Sequence, residues 1–310
     1  MNMIKELVAE TRVTIQLLIT AVAKGITNKG ASYLSLTLQD ASGQIEGKKW
    51  DATENDMKTL VEGKVFEFQA DVLEYKGNNQ LKIVSITEID QDKIDSSLFV
   101  PAAPISRKMM QDKLFAYINL INDEQIKKVV EKIVNNHYLD IVIFPAAVKI
   151  HHAYSSGLLH HTISMLDLAK NISNLYKNIN TDYLYAGAIL HDIGKTKEFS
   201  GVVNPKYTLE GKLIGHISII SSIVKKTCVE LNVDETKAIL LQHMVLSHHG
   251  EREKGSPVPP LTIEAEILSF IDDFDSKMNL LQKALDQVEE GEFTPKILWM
   301  DDRCFLKTPK

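Results

Sequence analysis

Hydrophobic spacing changes period near residue 90, and the change divides this chain into two unlike parts. From Thr11 to about Ile89 apolar and polar residues alternate, in TRVTIQLLITAVAKG, ASYLSLTLQD, GQIEGKKW, KVFEFQADVLEY and NQLKIVSITEI. Period two between turn-forming residues describes half-buried strands. Five strands are expected, with one short helix near Glu54 to Leu60 between the third and the fourth. Asp40-Ala41-Ser42-Gly43 and Lys76-Gly77-Asn78-Asn79 carry hairpin-turn chemistry. After Asp90 the alternation stops, and QDKIDSSLFVPAAPIS, with Pro101 and Pro104, has the character of a linker. Beyond Ser106 the spacing becomes helical and supports seven or more helices, several with plausible caps, for instance Asp182, Asp234 and Thr262. The tail FTPKILWMDDRCFLKTPK alternates again around Asp301-Asp302 and predicts a small terminal hairpin.

The expected fold is therefore multidomain: an all-β barrel in residues 1–90, a linker in 91–105, and an all-α domain in 106–310. Five strands with a helix after the third is the order of an OB-fold. Net charge is −6, so any polyanion must be gripped by local cations or by metal rather than by the field of the whole protein. Two cysteines, Cys228 and Cys304, stand far apart and outside any CxxC spacing, which argues against a disulfide framework or a zinc ribbon and for a reducing cytoplasm. MNMIKELVAE carries two acids and no apolar h-region, and the apolar runs stop well short of a bilayer span. A soluble cytoplasmic protein with no membrane partner is expected.

The chemistry concentrates around His191-Asp192 in LHDIGK, with His161 upstream and His216, His248-His249 and Asp272 downstream. His191 and Asp192 end the apolar run YLYAGAIL and precede Gly194, so both side chains should emerge where that helix stops. His161 lies near the start of another helix, and its neighbour His160 points about 100° away from it. Asp272 shares a helical face with Asp275, whereas Asp273 points elsewhere. A carboxylate on an otherwise apolar helix is costly unless paired or metal-bound. His161, His191, Asp192 and Asp272 would suffice for one metal; His216, His248 and His249 would suffice for a second, with Asp192 as the bridge. Mixed nitrogen and oxygen ligation favours Mn²⁺, Fe²⁺, Co²⁺ or Ni²⁺ over Mg²⁺, and zinc is less favoured without thiolates. One or two such ions point to hydrolysis of a phosphoryl bond.

GLLHHT, LHDIGK, GHI, SHHGE followed by GSP, and EAEILSFIDDFDS together resemble the HD phosphohydrolase superfamily between Met109 and Phe293. His160 stands where that superfamily often has Glu. With an OB-like domain in front, the chain resembles the YhaM-type 3′-to-5′ exoribonucleases of low-GC Gram-positive bacteria. The resemblance implies a barrel that holds a single strand and an HD domain that releases nucleoside 5′-monophosphates from the 3′ end, preferably with manganese. It also implies that Lys195, with Asp192, serves catalysis by neutralising a phosphate oxygen, and that His151 or His152, in KIHHAY, touches phosphate. Arg252, in the SHHGER loop, is a further candidate phosphate contact.

In the barrel the candidate contacts to a nucleic acid are Lys24, Lys29, Tyr33, Lys48, Lys49, Trp50, Tyr75 and Lys76. OB-folds stack bases on aromatics and track the backbone with cations. The first ninety residues carry more acids than bases, so this surface must be local, around Lys24 to Lys29 and Lys76 to Asn79. Trp50 has the alternative of capping the barrel. The expected partners are single-stranded RNA or DNA, and the apolar helical tail together with the resemblance points to a homo-oligomer. Two other functions stay open on the residues alone: a phosphohydrolase of small or cyclic nucleotides, and a nucleic-acid-binding protein with an inactive HD domain.

Overall fold

The computed structural model describes residues 3–27, 30–75, 77–91, 94–95, 98–101, 103–147, 154–202 and 205–309. Two compact units emerge, one of Met1–Ala102 with Val202–Asn204 and one of Ala103–Gly201 with Pro205–Lys310.

The first unit runs β1 (Arg12–Ile26), β2 (Ser32–Asp40), β3 (Gly43–Lys49), α1 (Glu54–Thr59), β4 (Val65–Tyr75) and β5 (Asn78–Glu88). These strands close into a barrel in the order β1-β2-β3-β5-β4, antiparallel except where β3 meets β5. A helix between the third and fourth strands of a closed five-stranded barrel is the OB arrangement. The alternation read in the sequence becomes its inside and outside: Leu34, Leu36 and Leu38 of β2 point inward with Leu17, Phe66, Phe68 and Leu81. Thr53 and Asp56 form a capping box that starts α1.

The stretch after Asp90 does more than connect. Phe99 is buried against Leu18 and Val65, Gln39 Nε2 donates to the Phe99 carbonyl at 2.9 Å, and Ala41 N–H donates to that of Leu98 at 2.9 Å. Its apolar side chains gain more by covering the barrel than by facing water, so the first unit reaches past the boundary expected at Asp90.

The second unit is helical, with nine α-helices among its described residues: α2 (Arg107–Asn119), α3 (Glu124–Ile143), α4 (Gly157–Leu175), α5 (Thr181–Leu190), α6 (Lys195–Glu198), α7 (Leu209–Leu213), α8 (His216–Glu230), α9 (Glu235–Ser247) and α10 (Ile263–Leu285). Its centre is α5, buried at every position from Leu184 to Leu190 and packed on α3, α4, α9 and α10. A Cβ on Gly187 would lie 2.5 Å from Met244 Cε, so glycine lets α9 approach.

Asp234 and Thr262 cap α9 and α10 as expected. Asp182 does not cap α5; Asn180 does, accepting from Asp182 N–H at 3.0 Å. The Asp182 carboxylate instead accepts the N–H groups of Asn122 and Asp123, each at 2.9 Å, just before α3. Being inside the first turn, it points away from the helix end and serves a neighbour. The tail forms two isolated antiparallel bridges, Phe293 with Leu306 and Ile297 with Arg303, around left-handed Asp301 and Asp302. Among the described residues no helix is long and apolar enough to cross a membrane.

Candidate metal centre

Helix ends build the site. His191 and Asp192 follow the last turn of α5, His248 and His249 follow that of α9, His216 opens α8, and His161 lies in the second turn of α4. Asp272 comes from the middle of α10. The last carbonyls of a helix lack intrahelical partners, and two of them face imidazoles here: His191 Nδ1 lies 3.0 Å from the Ala188 carbonyl and His248 Nδ1 lies 2.7 Å from that of Val245. A carbonyl only accepts, so in both rings Nδ1 carries the proton. The same holds for His249, whose Nδ1 is 2.8 Å from the Lys254 carbonyl. Carboxylates take this position at the other two, Asp275 at 2.7 Å from His161 Nδ1 and Glu198 at 3.1 Å from His216 Nδ1. With Nδ1 engaged in this way, the rings of His191, His216, His248 and His249 have Nε2 left to offer a lone pair as a ligand, while His161 meets a carboxylate at each nitrogen.

The Nε2 atoms fall into two groups joined by one carboxylate. Asp192 Oδ2 lies 3.3 Å from His191 Nε2 and 3.8 Å from His161 Nε2. Oδ1 lies 3.6 Å from His216 Nε2 and 3.9 Å from His248 Nε2. Asp272 Oδ1 is 3.2 Å from His161 Nε2. His161, His191 and Asp192 form one set able to hold a metal ion, and His216, His248 and His249 form another; within each set the ligand atoms lie within 4.8 Å of one another.

The donor chemistry fits divalent cations. Asp192 Oδ1, His216 Nε2 and His248 Nε2 are buried and have no hydrogen-bond partner among the described residues. Each such group costs about 1–3 kcal/mol when left unsatisfied, and three acceptors cannot satisfy one another. A cation between them removes the penalty.

The electrostatics agree. Burial disfavours a charge on His161, yet its hydrogen bonds to Asp272 and Asp275 outweigh burial and raise its pKa to about 10. Two carboxylates therefore hold positive charge at this point, where a metal ion would compete with the proton. Burial, with repulsion from His249 and His191, pushes His248 well below the usual histidine range, so it presents a free lone pair at neutral pH. Asp192 stays ionised: burial opposes its charge, but Lys195 and His191 lower its pKa well below the usual carboxylate range.

Lys195 is buried, with Nζ 2.6 Å from Asp192 Oδ2. Arg252 is exposed on a short 3-10 turn, Arg252–Lys254. Asp273 faces away from the histidines and pairs with Lys277 at 2.6 Å. His160 stays out of the cage, its Nδ1 meeting the Tyr154 hydroxyl at 2.5 Å. His151, His152, Lys29 and Lys76 lie outside the described residues. Sequence reasoning gave no role to Asp275, although its three-residue spacing from Asp272 was a usable signal. It missed Glu198 and Ser256, whose Oγ accepts His249 N–H at 3.1 Å; no periodicity links Glu198 to His216, eighteen residues on.

Gly194 has an ordinary helical φ of −55°, so it is not required for a left-handed turn. A Cβ there would lie 2.3 Å from the His216 carbonyl oxygen. The glycine lets α8 abut the His191-Asp192 turn. Gly194→Ala is expected to cost about 1–3 kcal/mol, the usual range for overpacking, and to weaken metal binding by displacing His216. Thermal melting and Mn²⁺ titration check this; unchanged values in both would remove the close approach as the reason for glycine.

In the barrel, the candidates separate. Tyr33 packs on Trp50 with ring centroids 5.1 Å apart, and Lys48 Nζ sits 5.8 Å from the centroid of the Trp50 ring. Gly25 pairs with Tyr33, and a Cβ there would lie 2.3 Å from the tyrosine ring, so glycine lets Tyr33 lie across β1. Trp50 is 39% exposed, on the outside of the barrel rather than sealing its core. Lys24 pairs with Leu34 and so points to the other face of the sheet. Tyr75, exposed, ends β4 beside a groove of about 470 Å³ lined by Gln44, Glu46, Asn78 and Gln80.

Comparison with known proteins finds a family match within the second unit. Residues 158–277 match the HD domain family. The chain is also similar to the second OB-fold domain of replication protein A from Methanococcus maripaludis, at 22% identity and a TM-score of 0.24, over 29% of this chain and 94% of that one. The barrel assignment stands on its own strand order. The matched residues 158–277 carry His161, the His191-Asp192 pair, the three later histidines and Asp272, and they follow the N-terminal OB-like barrel in the chain.

Proposed function

We propose that this protein is a metal-dependent 3′-to-5′ exoribonuclease that hydrolyses single-stranded RNA, with single-stranded DNA as a second substrate, to nucleoside 5′-monophosphates. The observation that carries this reading is the pair of inward-facing histidine sets sharing Asp192, in a chain that also holds an OB-like barrel. A small nucleotide needs no strand-holding module, and a purely binding protein needs no such cage.

Each residue has a task in this reading. His161, His191 and Asp272 would hold one ion and His216, His248 and His249 a second, with Asp192 as a ligand available to both. Ions at these positions, Mn²⁺ in preference to Mg²⁺, would activate water and neutralise phosphate oxygens. Lys195 keeps a positive charge beside Asp192 and screens the phosphate as the bond to the leaving 3′ oxygen breaks. Arg252 would contact a flanking phosphate, and His152 is kept as a second candidate from the sequence. Tyr33 and Trp50 stack bases while Lys48 offsets backbone charge; Lys24, on the other face of the sheet, and Tyr75, beside a separate groove, would meet the strand elsewhere, and Lys29 and Lys76 are kept as candidate contacts from the sequence.

A 5′-labelled single-stranded RNA incubated with Mn²⁺, with Mg²⁺ and with chelator tests the proposal. The expected result is a ladder shortening from the 3′ end, strongest with Mn²⁺ and abolished by chelator. Intact RNA in every lane, with turnover of free or cyclic nucleotides instead, would overturn it.

A further inference from the structure

Glu198 belongs to none of the ligand sets, yet it is 6% exposed and aimed at one ligand. Its Oε1 accepts two hydrogen bonds from His216, from the backbone N–H at 3.1 Å and from ring Nδ1 at 3.1 Å. The backbone bond matters because α8 starts at Gly215, whose φ is 75° and which has no side chain to cap the helix. Glu198 supplies the missing cap from another helix, and its negative charge suits a helix N-terminus. One oxygen therefore fixes both where α8 begins and which way the His216 ring turns.

Glu198 is itself held. Its carbonyl accepts Thr208 N–H at 2.9 Å, and a Cβ on Gly211 would come within 2.3 Å of that same oxygen. His216 has the greater need of an anchor: its side chain is 13% exposed, whereas those of His161, His191 and His248 are fully buried. Packing fixes those three rings from all sides. His216 depends more on its hydrogen bond.

We propose that Glu198 is a positioning residue for His216 and that occupancy of the ion position formed by His216, His248 and His249 depends on it. The inference rests on the metal-centre reading above and deepens it. The first set gains its orientation from Asp275 and from a helix-end carbonyl, so it loads independently of Glu198.

Mn²⁺ binding, counted by electron paramagnetic resonance of the free ion, tests this without reference to activity. Glu198→Met keeps the side-chain length but removes the acceptor; Glu198→Gln keeps an acceptor oxygen in place. Relative to wild type, the methionine variant should lose about 10–100-fold in affinity, the usual effect of removing a residue that orients a metal ligand. It should match the loss in His216→Ala, while the glutamine variant restores wild-type binding. Should circular dichroism show that Glu198→Met does not fold, Glu198→Asp carries the same comparison, because its oxygens fall a methylene short. Wild-type binding in a folded Glu198→Met or Glu198→Asp protein, beside a loss in His216→Ala, would overturn the role of Glu198 and leave the metal centre standing. A wild-type chain that takes up no Mn²⁺ would overturn both.

Discussion

Asp192→Ala is expected to abolish RNA hydrolysis, lowering the rate by at least about 10³-fold, the upper end of what deleting a single electrostatic stabiliser costs. Asp192 turns its two oxygens toward different histidine sets, with His191 at 3.3 Å on one side and His216 at 3.6 Å on the other. Its loss removes the bridge and strands Lys195, whose Nζ lies 2.6 Å from Oδ2 in a buried pair. Removing one partner of such a pair costs about 3–5 kcal/mol, so the variant should also melt earlier. Asp192→Asn keeps the volume and separates the two effects: hydrolysis stays lost while much of the packing is retained. Single-strand binding, followed by fluorescence anisotropy, should stay within error of wild type if the barrel holds the strand. Loss of binding together with catalysis would count against a division of labour, and residual cleavage near wild type would exclude Asp192 as the shared ligand.

The second large effect is expected in the barrel. Tyr33→Ala and Trp50→Ala should each weaken binding of a single-stranded RNA by roughly 10- to 100-fold, because a base stacked on an aromatic ring contributes about 1–3 kcal/mol. The two rings pack on one another, so their losses should combine less than additively. Trp50 is 39% exposed, and removing it opens no cavity in the barrel core; melting should change little. Lys48, over the Trp50 ring, contributes chiefly through charge, and Lys48→Ala should reduce the salt dependence of binding. Running these measurements in the Asp192→Ala background keeps the RNA intact. Unaltered affinity in folded Tyr33→Ala and Trp50→Ala proteins would move the binding surface elsewhere, for instance to the groove beside Tyr75.

Much of this architecture was legible because local patterns carry it. Alternating Leu34, Leu36 and Leu38 could bury only one face of a strand, and the helical stretch after Ser106 could only pack as helices. His191, Asp192, His248 and His249 were legible as helix-end residues since apolar runs stop just before them. Asp272 stood out as a carboxylate in an apolar helix. Asp182 was misread because two polar residues compete to start α5 and local sequence does not say which side chain has another partner. Phe99 looked like linker because nothing nearby in sequence reveals the barrel surface that covers it.

By itself the sequence determined the strand and helix order, the domain types and the identity of the nitrogen and oxygen donors, since each depends on residues close together in the chain. Tertiary structure alone decided how those donors divide. It set Asp192 between two histidine sets, gave every ring an acceptor at Nδ1, put Glu198 under the start of α8 and laid Tyr33 across Gly25 beside Trp50. These relations join residues from different helices and strands. Their distances follow from how the cores pack, and no local preference of the chain encodes them.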